Sequence, residues 1–221
     1  MRLRTRLAAI VAGTALLAGS ALAAAPAASA LPTSETDSFL TQLTATYNDP
    51  TVSNDGNPYD FDIVTKAVLV TGADKILAGL DSFTLFAPND RAFEQTALRL
   101  GLLPKGYKVG RTVDEKAVFD AIAGLGIPTV TQILLYHVLP GAKVTGGDAV
   151  KLPLFGTQLT MANGQKLGVI NFSRILRTPT IVLVDRDGRL LNDLVVKSKI
   201  DVVQTQHAVV HGISDVLLPK P

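Results

Sequence analysis

The reactive side chains of this chain are few: three histidines, one Ser-Asp pair, one Asp-rich turn and one Asn-x-Ser triplet. His207 and His211 stand four apart, a spacing that would align two imidazoles on a helix for a metal ion. Val209-Val210 lie between them and favour a strand, where that helical pairing is lost. His137 sits in the apolar run Leu134 to Leu139, where an imidazole serves more often as a buried, hydrogen-bonded group than as a catalyst. His211, Ser214 and Asp215 supply the side-chain types of base, nucleophile and orienter, which makes a hydrolase the third-ranked reading. No Gly-x-Ser-x-Gly elbow surrounds Ser214, and Ser-Asp is equally a turn or helix cap. Asp185-Arg186-Asp187-Gly188 begins like a calcium loop but lacks the later ligands and the terminal glutamate, so a hairpin turn accounts for it. Asn171-Phe172-Ser173 matches a glycosylation sequon, to which little weight attaches in a chain of bacterial appearance. There is no phosphate-cradling glycine loop and no cysteine to act as nucleophile, ligand or staple. The residues predict no catalytic site, no cofactor and no metal site.

The elements that hold these groups are centred on Phe83 to Phe93. Phe83 and Leu85 point to one side of an extended segment and Phe86 to the other, as a strand buried on both faces requires. Asn89 caps a helix from Asp90 that places Phe93, Ala97 and Leu100 on one face and stops at Gly101. Upstream, Asp62 opens a helix with Ile63, Ala67 and Val70 on one face, ended by Gly72. A short turn of helix follows from Asp74. Ser38 to Tyr47 could add one more short helix.

Downstream, Asp114 or Thr112 opens a helix bearing Val118, Ile122 and Leu125. Pro128 starts a short helix from Thr129 to Leu134 that feeds a strand around Tyr136. Beyond Gly141 the pattern changes to short apolar runs. Candidate strands are Leu152 to Phe155, Gln158 to Met161, Lys166 to Ile170, Thr180 to Val184, Arg189 to Leu191, Leu194 to Lys197, Val202-Val203 and Val209 to Gly212. Asn163-Gly164 is one tight turn, and Asp187-Gly188 joins the Val182 and Leu190 runs as a hairpin. Helices first and strands later predict an α+β domain.

Four stretches resemble the fasciclin-like domain family, in family order. They are Phe61 to Leu69, Thr84-Leu85-Phe86-Ala87-Pro88-Asn89-Asp90-Arg91-Ala92-Phe93, Leu134-Leu135-Tyr136-His137-Val138-Leu139-Pro140-Gly141, and Val209-Val210-His211-Gly212-Ile213-Ser214-Asp215-Val216-Leu217-Leu218-Pro219. The resemblance covers roughly Thr36 to Pro219 and implies a wedge of two packed β-sheets with several α-helices against it. It implies a chiefly structural role for Tyr136 and His137, and a role in cell adhesion or matrix contact. Some animal members bind integrins through the tyrosine-histidine region and an acidic-aliphatic pair before the closing segment. Asp201-Val202 is the nearest counterpart of that pair, one residue further from His211 than usual, and His207-Ala208 replaces the common Asn-Gly. Leu167 to Pro179 departs from the family and reads as an insertion.

The amino-terminal segment predicts export of this domain. Arg2, Arg4 and Arg6, the uncharged Ala- and Leu-rich run that follows, and Ala28-Ser29-Ala30 have the form of a signal peptide over residues 1–30. Residues 31–35 make a short lead-in and 36–219 one domain. A membrane anchor ranks second, since few residues of the run are strongly apolar. The first 30 residues carry three arginines and no acid, so the mature chain is near neutral and offers no electrostatic case for nucleic acid or an anionic membrane. Lys105, Lys108 and Arg111 form a local basic loop, read as solvated surface. The sequence therefore predicts a secreted or envelope-associated bacterial module that binds a cell-surface or matrix protein or polysaccharide. A soluble carrier of a small apolar or carbohydrate ligand is the alternative.

Overall fold

The computed structural model describes residues 39, 42, 55–187, 189 and 193–220. The leader, the lead-in and most of the expected strand at Arg189 to Leu191 lie outside them. Of the helix expected over Ser38 to Tyr47, only Phe39 and Gln42 are described, both helical; Phe39 is buried and meets Phe83 edge-on at 5.5 Å.

From residue 55 onward the elements are helices α1 (Asp62–Thr71) and α2 (Ala73–Ala78), then strand β1 (Phe83–Pro88), and helices α3 (Asp90–Arg99), α4 (Glu115–Ala123) and α5 (Ile127–Tyr136). Short elements follow: β2 (Val138–Pro140), α6 (Gly146–Ala149), β3 (Thr157–Thr160), β4 (Lys166–Asn171), α7 (Ser173–Leu176), β5 (Ile181–Val184), β6 (Asp193–Leu194), a 3₁₀ turn at Lys197–Lys199, β7 (Val203–Gln204) and β8 (Ala208–Ile213). The first sheet has the order β2-β1-β8-β7, with β1 and β8 parallel and the outer pairs antiparallel. The second, β3-β4-β5-β6, is antiparallel throughout, and a bridge from Val195 to Ile213 ties the two together. This is the α+β arrangement of two sheets with helices against them.

β1 is buried along its whole length and works on both faces. Phe83 and Leu85 enter a core shared with α1 to α5, while Phe86 enters a second core against Leu167, Leu183 and Ile213 of the other strands. Alternation along one strand thus welds two cores. Asn89 caps α3 by accepting from Ala92 N–H at 2.9 Å, and Asp114 caps α4 from Ala117 N–H at 3.0 Å. Gly72 ends α1 in the left-handed region, φ 71°.

Several expectations need correction. Tyr136 closes α5 and is not in a strand; the helix opened at Pro128 runs on to it, and the chain straightens only after His137. Leu152 to Phe155 is a bent loop, with Pro153 in its middle and Asn171 holding the Leu152 carbonyl. β5 pairs with Asp193-Leu194, and the Leu190 run expected to pair with it lies outside the described residues. Lys197 lies in the 3₁₀ turn. Val70 and Leu100 are 53% and 45% exposed; Val70 lies in the last turn of α1 and Leu100 is the residue that caps α3.

Candidate functional site

The tyrosine-histidine pair lies at the α5–β2 corner. Tyr136 is fully buried and donates from its hydroxyl to Lys166 O at 2.9 Å, so it stitches the helix layer to the second sheet; burial pushes its pKa up to about 12. His137 is 1% exposed, its Nδ1 2.8 Å from Ile133 O and its Nε2 2.9 Å from Leu217 N. Leu217 N–H can only donate, so Nε2 is the acceptor and Nδ1 carries the proton. Burial pushes the His137 pKa down to about 4, which keeps this neutral tautomer in place.

His211 sits on β8, stacked on Phe86 with ring centres 5.9 Å apart. Its Nε2 donates to Val144 O at 2.7 Å and its Nδ1 accepts from Asp201 N–H at 3.1 Å. Burial holds its pKa below the usual value. Asp201 adopts φ 55°, in the left-handed region, and its carboxylate accepts from Gly146 N–H at 3.0 and 3.1 Å. Val202 N–H donates to Val210 O at 2.9 Å. The acidic-aliphatic pair is therefore turned toward α6 and β8, and Asp201 braces His211.

The three members of the weak triad reading do different work. Ser214 Oγ accepts from Leu194 N–H at 3.1 Å. Asp215 accepts from Thr96 Oγ1 at 3.0 Å, Val216 N–H at 2.9 Å, Arg99 at 2.5 Å and Arg189 at 2.9 Å, which makes it a tether between β8 and α3. Both nitrogens of His211 are occupied elsewhere. His207 lies before β8, off any helix, with Nδ1 2.8 Å from Asp81 O. Asp185 accepts from Asp187 N–H at 3.0 Å and Leu218 N–H at 2.7 Å, as a braced turn does.

The sequon asparagine is consumed by the fold. Asn171 is 1% exposed and its amide donates to Ala149, Val150 and Leu152 carbonyls at 3.2, 3.0 and 2.8 Å. The basic loop at 104–111 carries exposed Lys105, Lys108 and Arg111, yet it is anchored. Tyr107 donates to Glu94 at 2.7 Å and Arg91 to Gly110 O at 2.9 Å.

Two features were not read from the sequence. An apolar cavity of ≈ 70 Å³ opens between the sheets and α6, lined by Phe86, Val144, Ala149, Leu159, Leu183 and His211 among others. Asp55, Asp60, Asp62 and Glu115 also converge, one oxygen of each lying within 4.8 Å of the others, and the last three are buried. The Asp60-Phe61-Asp62 spacing was the visible signal; Glu115, far along the chain, gave none. Among the described residues no single helix is long and apolar enough to cross a membrane.

Comparison with known proteins defines the class. The fasciclin domain model matches residues 59–219, and the chain belongs to that family. Among solved structures it is similar to the FAS1 domain pair from the insect cell adhesion molecule fasciclin I. The TM-score is 0.51 at 18% identity, over 74% of this chain and 48% of that one. The chain thus spans about half of that neighbour, and the likeness is one of fold. No curated protein matches. Fasciclin domains are generally non-catalytic adhesion modules of the cell surface or exterior.

Proposed function

We propose that this chain is a secreted or cell-surface binding module that acts by contact, in adhesion to a surface or matrix protein or polysaccharide. The supporting observation is where the polar motif residues go. His137, His211, Ser214 and Asp215 each hold a structural hydrogen bond to another part of the fold, which leaves exposed loops to meet a partner. Asp201 and Val202 face inward to α6 and β8, so contact through the basic 104–111 loop fits this chain better than contact through that pair. The test is a pull-down with the chain from Leu31 onward against envelope and matrix preparations at low and high salt. Binding that weakens with salt and is lost in Lys105→Ala/Lys108→Ala/Arg111→Ala supports the reading; no binding above a folded control protein refutes it.

The cavity beside Phe86 favours a second reading, a carrier of a small apolar molecule. Its walls are hydrocarbon with one imidazole edge already hydrogen-bonded, which suits an apolar ligand and gives a sugar nothing to bond. Native mass spectrometry with and without added apolar compounds decides it: no retained ligand removes the carrier reading.

A further inference from the structure

One end of the second sheet carries large apolar side chains that the fold leaves uncovered. β4 ends there and β5 begins there, Asn171 opposite Ile181, with α7 between them. Asn171 ties the loop before β3 to this end, its side-chain amide donating to the Ala149, Val150 and Leu152 carbonyls and its backbone N–H to Leu154 O. Phe172, Ile175 and Leu176 stand at spacings of three and four, and the Ile175 and Leu176 N–H groups both donate to Phe172 O, so one helical turn places the three on one side. Phe155 meets Phe172 edge-on at 6.5 Å and joins them. Phe155, Ile175 and Leu176 are 61%, 61% and 55% exposed, a concentration of apolar surface for which core packing gives no reason.

The charges of this region are of one sign. No acid stands between Asp148 and Asp185, a stretch that carries Lys151, Lys166, Arg174 and Arg177. The near-neutrality of the mature chain hides that local excess. Lys151 is paired with Asp148, whereas Arg174 and Arg177 have no ion-pair partner among the described residues. Both arginines line an open hollow of ≈ 280 Å³ with Ser173 and Thr178, and the Thr178 hydroxyl is buried without a hydrogen-bond partner. A spare hydroxyl beside two unpaired guanidiniums suits phosphate oxygens. Hydrocarbon next to phosphate-seeking groups matches the layering of a lipid surface, acyl chains beneath charged headgroups.

We propose that this tip docks the protein on an anionic lipid bilayer. Phe155, Ile175 and Leu176 enter the acyl boundary, while Arg174, Arg177 and Thr178 engage headgroup phosphates. The contact is peripheral, since one helical turn and one loop are too short to span. It uses other residues than the 104–111 loop, so the two surfaces are tested apart.

The test is flotation of the mature chain from Leu31 onward with vesicles of phosphatidylcholine alone and of phosphatidylcholine mixed equally with phosphatidylglycerol. Saturable binding to the anionic vesicles, and little to the neutral ones, is expected. Arg174→Gln/Arg177→Asn should weaken it about fivefold for each arginine removed. Asn is chosen at 177 because it tolerates the φ of 54° there. Phe155→Ser/Ile175→Ser/Leu176→Ser should weaken binding by about tenfold or more while melting as wild type does. Lys105→Ala/Lys108→Ala/Arg111→Ala should bind vesicles like wild type. The chain has no tryptophan, so Phe155→Trp supplies a single fluorescent reporter, which should shift to the blue on anionic vesicles even if the triple serine variant does not fold. Absence of saturable vesicle binding overturns the proposal. So does binding that survives either set of folded tip substitutions, binding lost with the 104–111 substitutions, or a Phe155→Trp reporter that stays unshifted on bound protein. Calorimetric binding of inorganic phosphate without vesicle binding marks a soluble-anion site and overturns the assignment to a lipid surface.

Discussion

His137 is a histidine whose value to the fold depends on being neutral. One of its hydrogen bonds closes on α5 at Ile133 O and the other joins the end of that helix to the terminal segment at Leu217, and protonation would turn the Nε2 acceptor toward Leu217 into a donor. His137→Ala should cost about 1 to 3 kcal/mol in urea denaturation, from the unsatisfied Leu217 N–H and the space left behind. The pH dependence has a definite sign. The folded pKa of about 4 lies below the unfolded value of about 6.5. The unfolded chain therefore takes up the proton first, and the stabilisation is fully present above pH 6.5. It drains away between about 6.5 and 4, a loss of about 3 kcal/mol. The stability gap between wild type and His137→Gln should narrow across that window; a gap constant from pH 7 to 4 would refute the neutral, buried role.

At the level of elements, β8 is pinned by a glycine that sequence reading left as an ordinary strand position. A Cβ on Gly212 would lie 2.6 Å from Lys199 Cβ and 3.0 Å from Phe61 Cζ. The 3₁₀ turn and the residue ahead of α1 both press on that point. Gly212→Ala should destabilise by about 1 to 3 kcal/mol in the same denaturation assay; a neutral result would mean that the turn moves aside freely. The contrast with β1 shows what was legible. Phe83 to Phe93 announced strand, cap and helix because each signal is local: alternation, an Asn cap and a helical apolar face. Leu152 to Phe155 reads as a strand by the same local rule and is not one, because a distant asparagine takes its carbonyl. The carboxylate cluster escaped for a related reason, since Glu115 becomes a neighbour of Asp60 only after α4 packs beside α1. The structural part of the histidine reading could be seen in the apolar run around His137; the Asp201 brace on His211 could not.

For the molecule as a whole, two apolar cores share one strand pair. The pairing of β1 with β8 is buried throughout, and the 104–111 loop is largely exposed and held by a few side-chain anchors. Hydrogen exchange should therefore be slowest in β1 and β8 and fastest in that loop. Comparable protection in the two would show that the loop anchors bind it as firmly as the core, and would weaken its candidacy as the contact surface.

The parallel pairing of β1 with β8 also sets an order of events for the growing chain. The strand that begins at Phe83 waits for its central partner until the polypeptide beginning at Ala208 has been made, after all the other helices and strands that the domain places between them. Until then the first sheet is split at its centre and neither core is sealed. Pairing across so long a stretch of sequence leaves the centre of the first sheet open until most of the domain is in place.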